Sequence, residues 1–365
     1  MSNTPAPKRA PRPPAELVLA NGMRFSGESF GAPASRAGEI VFNTGMVGYP
    51  EALTDPSYRG QILALTYPLQ GNYGMQGGSE GALRSVGMES DRIQASGLVV
   101  ADYAEDFSHW SAGRSLGEWL ASEGVPAITG VDTRALTRVI RQHGTMLGKI
   151  IVAGADVPYY DPDADNLVAQ VSAGAPEEFG SGTWRIVVVD CGCKENIVRN
   201  LAERGLRVKR VPWDYDFTQE KPDGFVMSNG PGDPTMARPT IERLREVLRG
   251  DTPVMGICLG HQLMALALGA KTYKLKFGHR GQNQPVRRTT DGRCFITSQN
   301  HSFAVDEKTL PQDWEPLFTN LNDGTNEGMR HASGTKFSVQ FHPEAAPGPV
   351  DTATLFDEFL AKVQA

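Results

Sequence analysis

The sequence predicts two folded units, an α+β N-terminal domain and an α/β C-terminal domain whose parallel sheet is flanked by helices and carries a nucleophile elbow. Three observations predict this. The N-terminal half holds short β-type runs separated by loops rich in Gly, Pro, Asp and Asn. The C-terminal half alternates continuous apolar runs with amphipathic helical segments, the pattern of strands and crossover helices in a parallel sheet. Within it, Val254-Met255-Gly256-Ile257-Cys258-Leu259-Gly260-His261-Gln262 reads as a buried strand, a sharp turn bearing one thiol, and the start of a helix.

Taken in order, residues 1–14 contain Pro5, Pro7, Pro11, Pro13 and Pro14 and are expected to be a disordered tail. An N-terminal domain is expected over residues 15–171. It opens with Leu17 to Ala20, Asn21-Gly22 and Met23 to Phe25, a strong hairpin signal. Further strands are expected at Ile40 to Phe42, Ile62 to Thr66, Leu98 to Val100 and Lys149 to Val152. Ser115 to Ser122 suits a short helix, and Asp132 can cap another whose Leu136, Val139 and Ile140 form one apolar stripe. Residues 41–58 are polar and glycine-rich and are expected to be a long loop, of the kind that often binds something. Residues 172–183 have linker composition, and residues 184–365 form the second domain.

The bulk numbers fit a two-domain enzyme. The 365 residues carry a net charge of −6 and a pI of about 5.7, which argues against a nucleic-acid binder relying on a basic face. The 4 cysteines form no disulfide framework and no signal peptide is evident, so a reducing, cytoplasmic location is expected. No apolar run approaches the roughly 18 residues of a membrane span. Neither G-x-x-x-x-G-K-[ST] nor G-x-G-x-x-G occurs, so no cofactor is expected in this chain.

In the second domain, Arg185 to Asp190, Leu206 to Val211, Phe225 to Ser228 and the run before Cys258 are the expected strands. Gly256 and Gly260 flank Cys258 at elbow spacing, removing side chains that would clash where a strand turns abruptly into a helix. At a helix N-terminus, unpaired amides and the helix dipole favour the thiolate, and the N–H of Leu259 is placed to receive an oxyanion. Lowering a thiol pKa from about 8.5 to about 7 raises the thiolate fraction at neutral pH from roughly 3% to roughly half. The alternative is a core cysteine beside a packing turn. The loop Ser228-Asn229-Gly230-Pro231-Gly232-Asp233-Pro234 leaves a strand at the same end and can bring backbone amides to a substrate.

A thiolate needs a base. His342 ends the run Phe337 to Phe341, and in extended chain Glu344 points the same way and can orient its ring. Cys258, His342 and Glu344 are thus the candidate nucleophile, base and orienter. His261 is expected to pack or hydrogen-bond locally, whereas His279 and His301 sit in polar stretches better suited to substrate contact. Cys191-Gly192-Cys193 lacks metal-ligand spacing and is read as structural, as is Cys294. Lys271 to Arg293 is locally basic and is expected to be a solvated face, with a partner surface as the sharper alternative.

These motifs carry a resemblance. Gly256-Ile257-Cys258-Leu259-Gly260-His261-Gln262 with His342-Pro343-Glu344 resembles the class I (triad) glutamine amidotransferases. Phe42-Asn43-Thr44-Gly45-Met46, Tyr67-Pro68, Asp132 to Thr137, Lys276 to Gly281 and Gln299-Asn300-His301 resemble the glutamine-hydrolysing small subunit of carbamoyl-phosphate synthase. The resemblance covers nearly the whole chain beyond the tail. It implies glutamine hydrolysis through a γ-glutamyl thioester on Cys258, with glutamine held by Gly45, Gly230, Gly232, Leu259, Gln262, Asn300, Ser302 and Phe303. Position 45 is serine in some relatives and position 302 often glycine, so contacts there are expected through backbone. The resemblance also implies a large synthase subunit as partner, which holds ATP and Mg and uses the ammonia to make carbamoyl phosphate for arginine and pyrimidine synthesis. Three rivals remain: an amidotransferase subunit serving another acceptor enzyme, a catalytically dead scaffolding subunit, and a free-standing cysteine hydrolase.

Overall fold

The computed structural model describes residues 11–68, 70–76 and 87–365. Of the expected tail, residues 1–10 lie outside the described residues. Its end is docked: Arg12 pairs with Glu105 at 3.1 Å and lies 5.0 Å over the Tyr103 ring, and Pro14 already belongs to a strand.

Seven strands of the N-terminal unit close into a barrel, a topology that strand-by-strand reading leaves open. Their order is Pro14–Leu19, Arg24–Ser29, Ala127–Thr129, Gly97–Val100, Gln61–Leu65, Arg36–Asn43 and Met146–Val152, the last pairing back onto the first. Alternating side chains explain the layering. Leu17, Ile40, Ile62, Val99, Ile128 and Ile150 pack together with Leu136 and Ile140, while Val41, Leu63, Leu98 and Val100 pack with Leu116 and Trp119. The helix Leu116–Ser122 starts in a full capping box of Ser115 and Glu118, and Thr133–His143 starts on Asp132, whose carboxylate accepts from the Ala135 amide at 2.8 Å.

Residues 41–58 are a correction. They are not an open loop: Tyr49–Thr54 is a helix and Pro56–Tyr58 a 3₁₀ turn capped by Asp55. Tyr49, Leu53 and Tyr58 are buried in the barrel's outer core, which overrides the polar composition around them. The expected linker is also partly structured, because Glu177–Phe179 adds an antiparallel edge strand to Arg207–Pro212. Glu177 bonds the buried Arg210, and the same guanidinium lies 5.0 Å over Phe179.

The C-terminal sheet is mixed rather than wholly parallel. Arg207–Pro212, Arg185–Asp190, Gly224–Met227, Val254–Ile257 and Lys336–Val339 run parallel, in that order. Asn326–His331, Trp314–Asn320, Lys271–Arg288 and Cys294–Asp306 then extend it antiparallel. Ile186 and Val188 pack beneath helices Glu195–Glu203 and Thr354–Val363, while Val187 and Val189 face Arg238–Val247 and Leu259–Ala267. The basic stretch is therefore a long strand and not simply a solvated face, and its Arg280 is only 4% exposed. No helix among the described residues is long and apolar enough to cross a membrane.

Candidate active site

Cys258 stands between the strand Val254–Ile257 and the helix Leu259–Ala267. Its backbone has φ 53° and ψ −105°, rare for a residue with a side chain and typical of the strain found at functional turns. Neighbouring interactions hold it there. Its amide donates to Val339 O at 2.8 Å, and the helix approaches the adjacent strand so closely that a Cβ on Gly260 would stand 2.2 Å from Met227 O. The thiol is 2% exposed and its sulfur lies 3.7 Å from Asn300 O.

Val339 is the parallel partner of Ile257, so the chain leaving that strand delivers His342 to the same end of the sheet. His342 Nδ1 bonds Glu344 Oε1 at 2.6 Å, which leaves Nε2 to interact with the Cys258 sulfur. Burial would lower the imidazole pKa. The Glu344 carboxylate and the Cys258 sulfur overcome this and raise it to about 10, so the ring is held as imidazolium. Glu344 is buried too, which would raise its pKa, but Lys194 and His342 lower it to about 2.

Lys194 went unrecognised in the sequence. Its side chain is 3% exposed, and its ammonium lies 3.2 Å from Glu344 Oε1 and donates to Ala345 O at 2.5 Å. Ala345 has φ 55°, so this bond helps hold a second strained residue beside the site. Asn196 Nδ2 bonds the Glu344 carbonyl. The N-terminal unit joins in through Glu89, in the loop before Gly97–Val100, which bonds Arg199 Nη2 at 2.8 Å and the Asn196 amide at 3.0 Å. Burial outweighs the neighbouring cations and raises Glu89 to about 8. A lysine or glutamate far away in sequence gives no pattern that links it to a triad.

The expected substrate residues mostly converge. Gly230, Gly232, Gln262, Asn300, Ser302 and Phe303 line one cleft with Cys258. Gln262 Nε2 donates to Phe303 O at 2.9 Å and to Gln340 Oε1 at 3.1 Å. Leu259 is buried beneath Gly230, where a Cβ would meet Leu259 Cδ2 at 2.6 Å and Cys191 O at 2.0 Å. Gly45 does not line the cleft: its amide donates to Asn43 Oδ1 at 2.7 Å and it packs against Gln282.

Ser57, Glu39 and Arg280 also line this cleft, and Asp55 braces it from behind through Asn300. Asp55 accepts from Asn300 Nδ2 at 2.9 Å, and beside it Ser57 Oγ accepts from Asn229 Nδ2 at 3.0 Å. The segment expected to bind a ligand thus pins the loops around the thiol. Glu39 and Arg280 complete the walls. His279 and His301 are buried with Glu327; burial would lower the His279 imidazole, but its bonds to Asp323, at 2.8 Å, and to Glu327 raise it to about 9, and of the two histidines only His301 lines the cleft. His261 bonds Ser338 Oγ at 2.8 Å, as expected of a packing histidine. Cys191 and Cys193 are buried with their thiols pushed well up by desolvation.

Comparison with known proteins places the chain in a family. Residues 187–362 match the family Glutamine amidotransferase class-I, which defines the class of the C-terminal unit. Residues 17–150 match the Carbamoyl-phosphate synthase small chain, CPSase domain. The chain is 51% identical over 377 residues to the "Carbamoyl phosphate synthase arginine-specific small chain" of Phaeosphaeria nodorum, covering 99% of this chain and 79% of that one. The small chain of the same description from Aspergillus niger is 51% identical over 362 residues, covering 96% and 80%. The chain belongs to the carbamoyl-phosphate synthase small-chain family. It is also 50% identical over 357 residues to the human "Carbamoyl-phosphate synthase [ammonia], mitochondrial", spanning 96% of this chain but only 24% of that protein. It therefore spans about a quarter of the length of such relatives.

Proposed function

We propose that this chain hydrolyses glutamine to glutamate and ammonia at Cys258 and supplies the ammonia to a large synthase subunit that makes carbamoyl phosphate from bicarbonate and ATP. The observation that carries the reading is the buried His342–Glu344 pair, 2.6 Å apart, beside a thiol on a strained strand-to-helix turn. That turn acts as a nucleophile elbow. The Cys258 sulfur adds to the side-chain amide carbon of glutamine, and the oxygen gains negative charge, facing the amide of Leu259 and the backbone of the Gly230–Gly232 loop. Collapse breaks the C–N bond while the His342 imidazolium gives its proton to the departing nitrogen, which leaves as ammonia. A γ-glutamyl thioester remains. Neutral His342 then takes a proton from water, the hydroxide attacks the thioester, and glutamate leaves with the thiolate restored. Glu344 keeps the ring oriented and balances its charge throughout.

In this reading Gly45, Gly230, Gly232, Leu259, Gln262, Asn300, Ser302 and Phe303 hold glutamine, with Gly45 brought in only once the cleft opens. Domains of residues 15–171 and 184–365 then have separate tasks: the first pins the cleft and the second performs hydrolysis. ATP and Mg bind on the large subunit, and the location is cytoplasmic. The product feeds arginine and pyrimidine synthesis. The test is glutamate release by wild type and Cys258→Ser, with and without a large subunit, bicarbonate and ATP. Hydrolysis by wild type alone of the two, accelerated by the large subunit, is expected. Inactivity of both proteins that nonetheless bind a large subunit would make this a scaffolding chain.

A further inference from the structure

His279 and His301 are direct partners in the antiparallel ladder between Lys271–Arg288 and Cys294–Asp306. Folding therefore sets two imidazoles side by side, with ring centres 4.9 Å apart and planes at 86°. Glu327, on Asn326–His331, joins them, and none of the three is more than 8% exposed. No step of glutamine hydrolysis uses them. The contacts of His301 do not balance: its Nδ1 faces Phe303 O at 2.8 Å and its Nε2 faces Gln299 Oε1 at 3.2 Å, both oxygens that only accept. Turning the Gln299 amide over does not help, because its Nε2 donates to Glu327 Oε2 at 3.0 Å and a flip would set two acceptors together there. A neutral imidazole has one N–H and one lone pair, so whichever nitrogen holds the proton, the other turns a lone pair toward an oxygen. A second proton would balance the ring, but burial and the nearby His279 and Arg280 oppose it. A metal ion removes the conflict by binding the lone pair and the oxygen together.

The other contacts have the form that metal-binding histidines show. In each ring the outward nitrogen is held, His279 Nε2 by Asp323 Oδ2 at 2.8 Å and His301 Nδ1 by Phe303 O, which fixes the ring and turns the remaining nitrogen inward. One nitrogen of each ring and one oxygen of Glu327 lie within 4.8 Å of one another. Glu327 Oε1 is 3.4 Å from His279 Nδ1 and 4.0 Å from His301 Nε2. Tetrahedral bonds of about 2.0–2.1 Å set ligand atoms roughly 3.3–3.4 Å apart, so the His279–Glu327 edge already has that length and His301 has only to turn inward. Asn320 Nδ2 steadies Glu327 Oε1 at 2.9 Å, but its 3.5 Å contact with His279 Nδ1 is too long to satisfy that nitrogen.

We propose that His279 Nδ1, His301 Nε2 and Glu327 Oε1, with Gln299 Oε1 as the fourth ligand, form a site for one divalent ion of the zinc class. Mixed imidazole and oxygen donors favour such an ion over magnesium or calcium, which take oxygen ligands. The ion replaces the proton that His279 Nδ1 shares with Glu327, so binding releases that proton. The task of the site is structural. Asn300, between Gln299 and His301, sets its carbonyl 3.7 Å from the Cys258 sulfur, and the ion ties the strand carrying that carbonyl to Lys271–Arg288 and Asn326–His331.

The test uses the full chain as Cys258→Ser with Cys294→Ser, which removes the reactive and the exposed thiol as rival zinc ligands. Purified from zinc-supplemented cells, and again after refolding with zinc, this chain is expected to hold about one zinc by elemental analysis. X-ray absorption at the zinc edge should show two imidazoles and no sulfur. In the same background, Glu327→Gln and His279→Gln are each expected to weaken zinc binding more than about tenfold in competition with a chelating dye. His331→Gln, at an exposed pair with Asp313, should bind as before. Zinc should raise the melting temperature of the chain with the intact cluster by several degrees and leave that of Glu327→Gln unmoved. Should the two cluster variants fail to fold, the zinc count and edge spectrum of the intact cluster decide. An intact cluster without zinc after both preparations, sulfur in the ligand shell, or undiminished binding by both cluster variants overturns the site. Each of those results leaves the glutaminase reading standing, since no ligand of the ion takes part in hydrolysis.

Discussion

Replacing Lys194 by Met tests how the site holds its charge. The ammonium lies 3.2 Å from Glu344 Oε1, and neither side chain is more than 3% exposed. At an effective dielectric constant of about 20, Coulomb attraction at that distance is worth about 5 kcal/mol. Methionine avoids the cost of burying an ammonium, so the net loss is smaller, about 3 kcal/mol, at the low end for breaking a buried pair. Glu344 is held at about 2 against an ordinary 4.5. A carboxylate with a depressed folded pKa contributes stability above its unfolded value and loses it as pH falls through the folded one. Without Lys194, about 3 kcal/mol corresponds to raising that carboxylate by about two pH units. Chemical denaturation at pH 7 should then show the loss, and the gap between variant and wild type should shrink as pH falls toward 2. The acid limb of glutamine hydrolysis should move upward, with activity at pH 8 reduced only about tenfold, because Glu344 stays ionised there and loses only orientation. Equal stability at pH 7 together with an unmoved acid limb would refute the idea that Lys194 holds Glu344.

Gly260→Ala should cost several kcal/mol in denaturant unfolding, since its Cβ would meet Met227 O at 2.2 Å and backbone must shift. Gly250→Ala, whose Cβ meets only Val247 O at 3.6 Å, should be tolerated in the same assay. Glu89 titrates near 8, above the ordinary carboxylate value, so its ionisation disfavours the folded state and removes stability as pH rises from about 4.5 to about 8. Glu89→Gln should flatten that decline in melts across this range. In a Cys294→Ser background, iodoacetamide with mass spectrometry should modify Cys258 in a manner slowed by glutamine and leave Cys191 and Cys193 unlabelled, because burial holds the latter two as thiols. Asp132→Ala should lose about 1 kcal/mol through the missing cap on Thr133–His143.

Local signals made most elements legible. The hairpin at Asn21-Gly22, the caps at Ser115 and Asp132 and the apolar runs at Arg185 and Val254 all formed where composition and periodicity place them. His342 and Glu344 were legible together because they are two residues apart on extended chain, where side chains share a direction. What stayed hidden depends on long-range pairing. Barrel closure joins strands more than 100 residues apart, such as Leu17 and Ile150, and no local pattern encodes that partner. The antiparallel half of the C-terminal sheet was hidden for the same reason. Residues 41–58 misled because a few buried tyrosines and Leu53 outweigh a polar average. Lys194 carried no sequence signal and Arg280 sits in a stretch expected to be solvated, and only their burial in the folded chain sets them apart.

Similarity alone does not decide whether this site is a working glutaminase. The chain is about as identical to synthases named for ammonia as to arginine-specific small chains, at 50% and 51%. A chain kept only to dock or scaffold needs its core and its surface, but it has no reason to keep an unfavourable backbone at Cys258 and Ala345. Nor does packing require a lysine, a glutamate and an imidazolium buried within one short chain of contacts, because replacing such charges with apolar groups is often neutral or stabilising. Neither feature is needed for packing. They make physical sense together when the thiol must stand clear of its helix and the ring beside it must hold, release and regain one proton during each turnover.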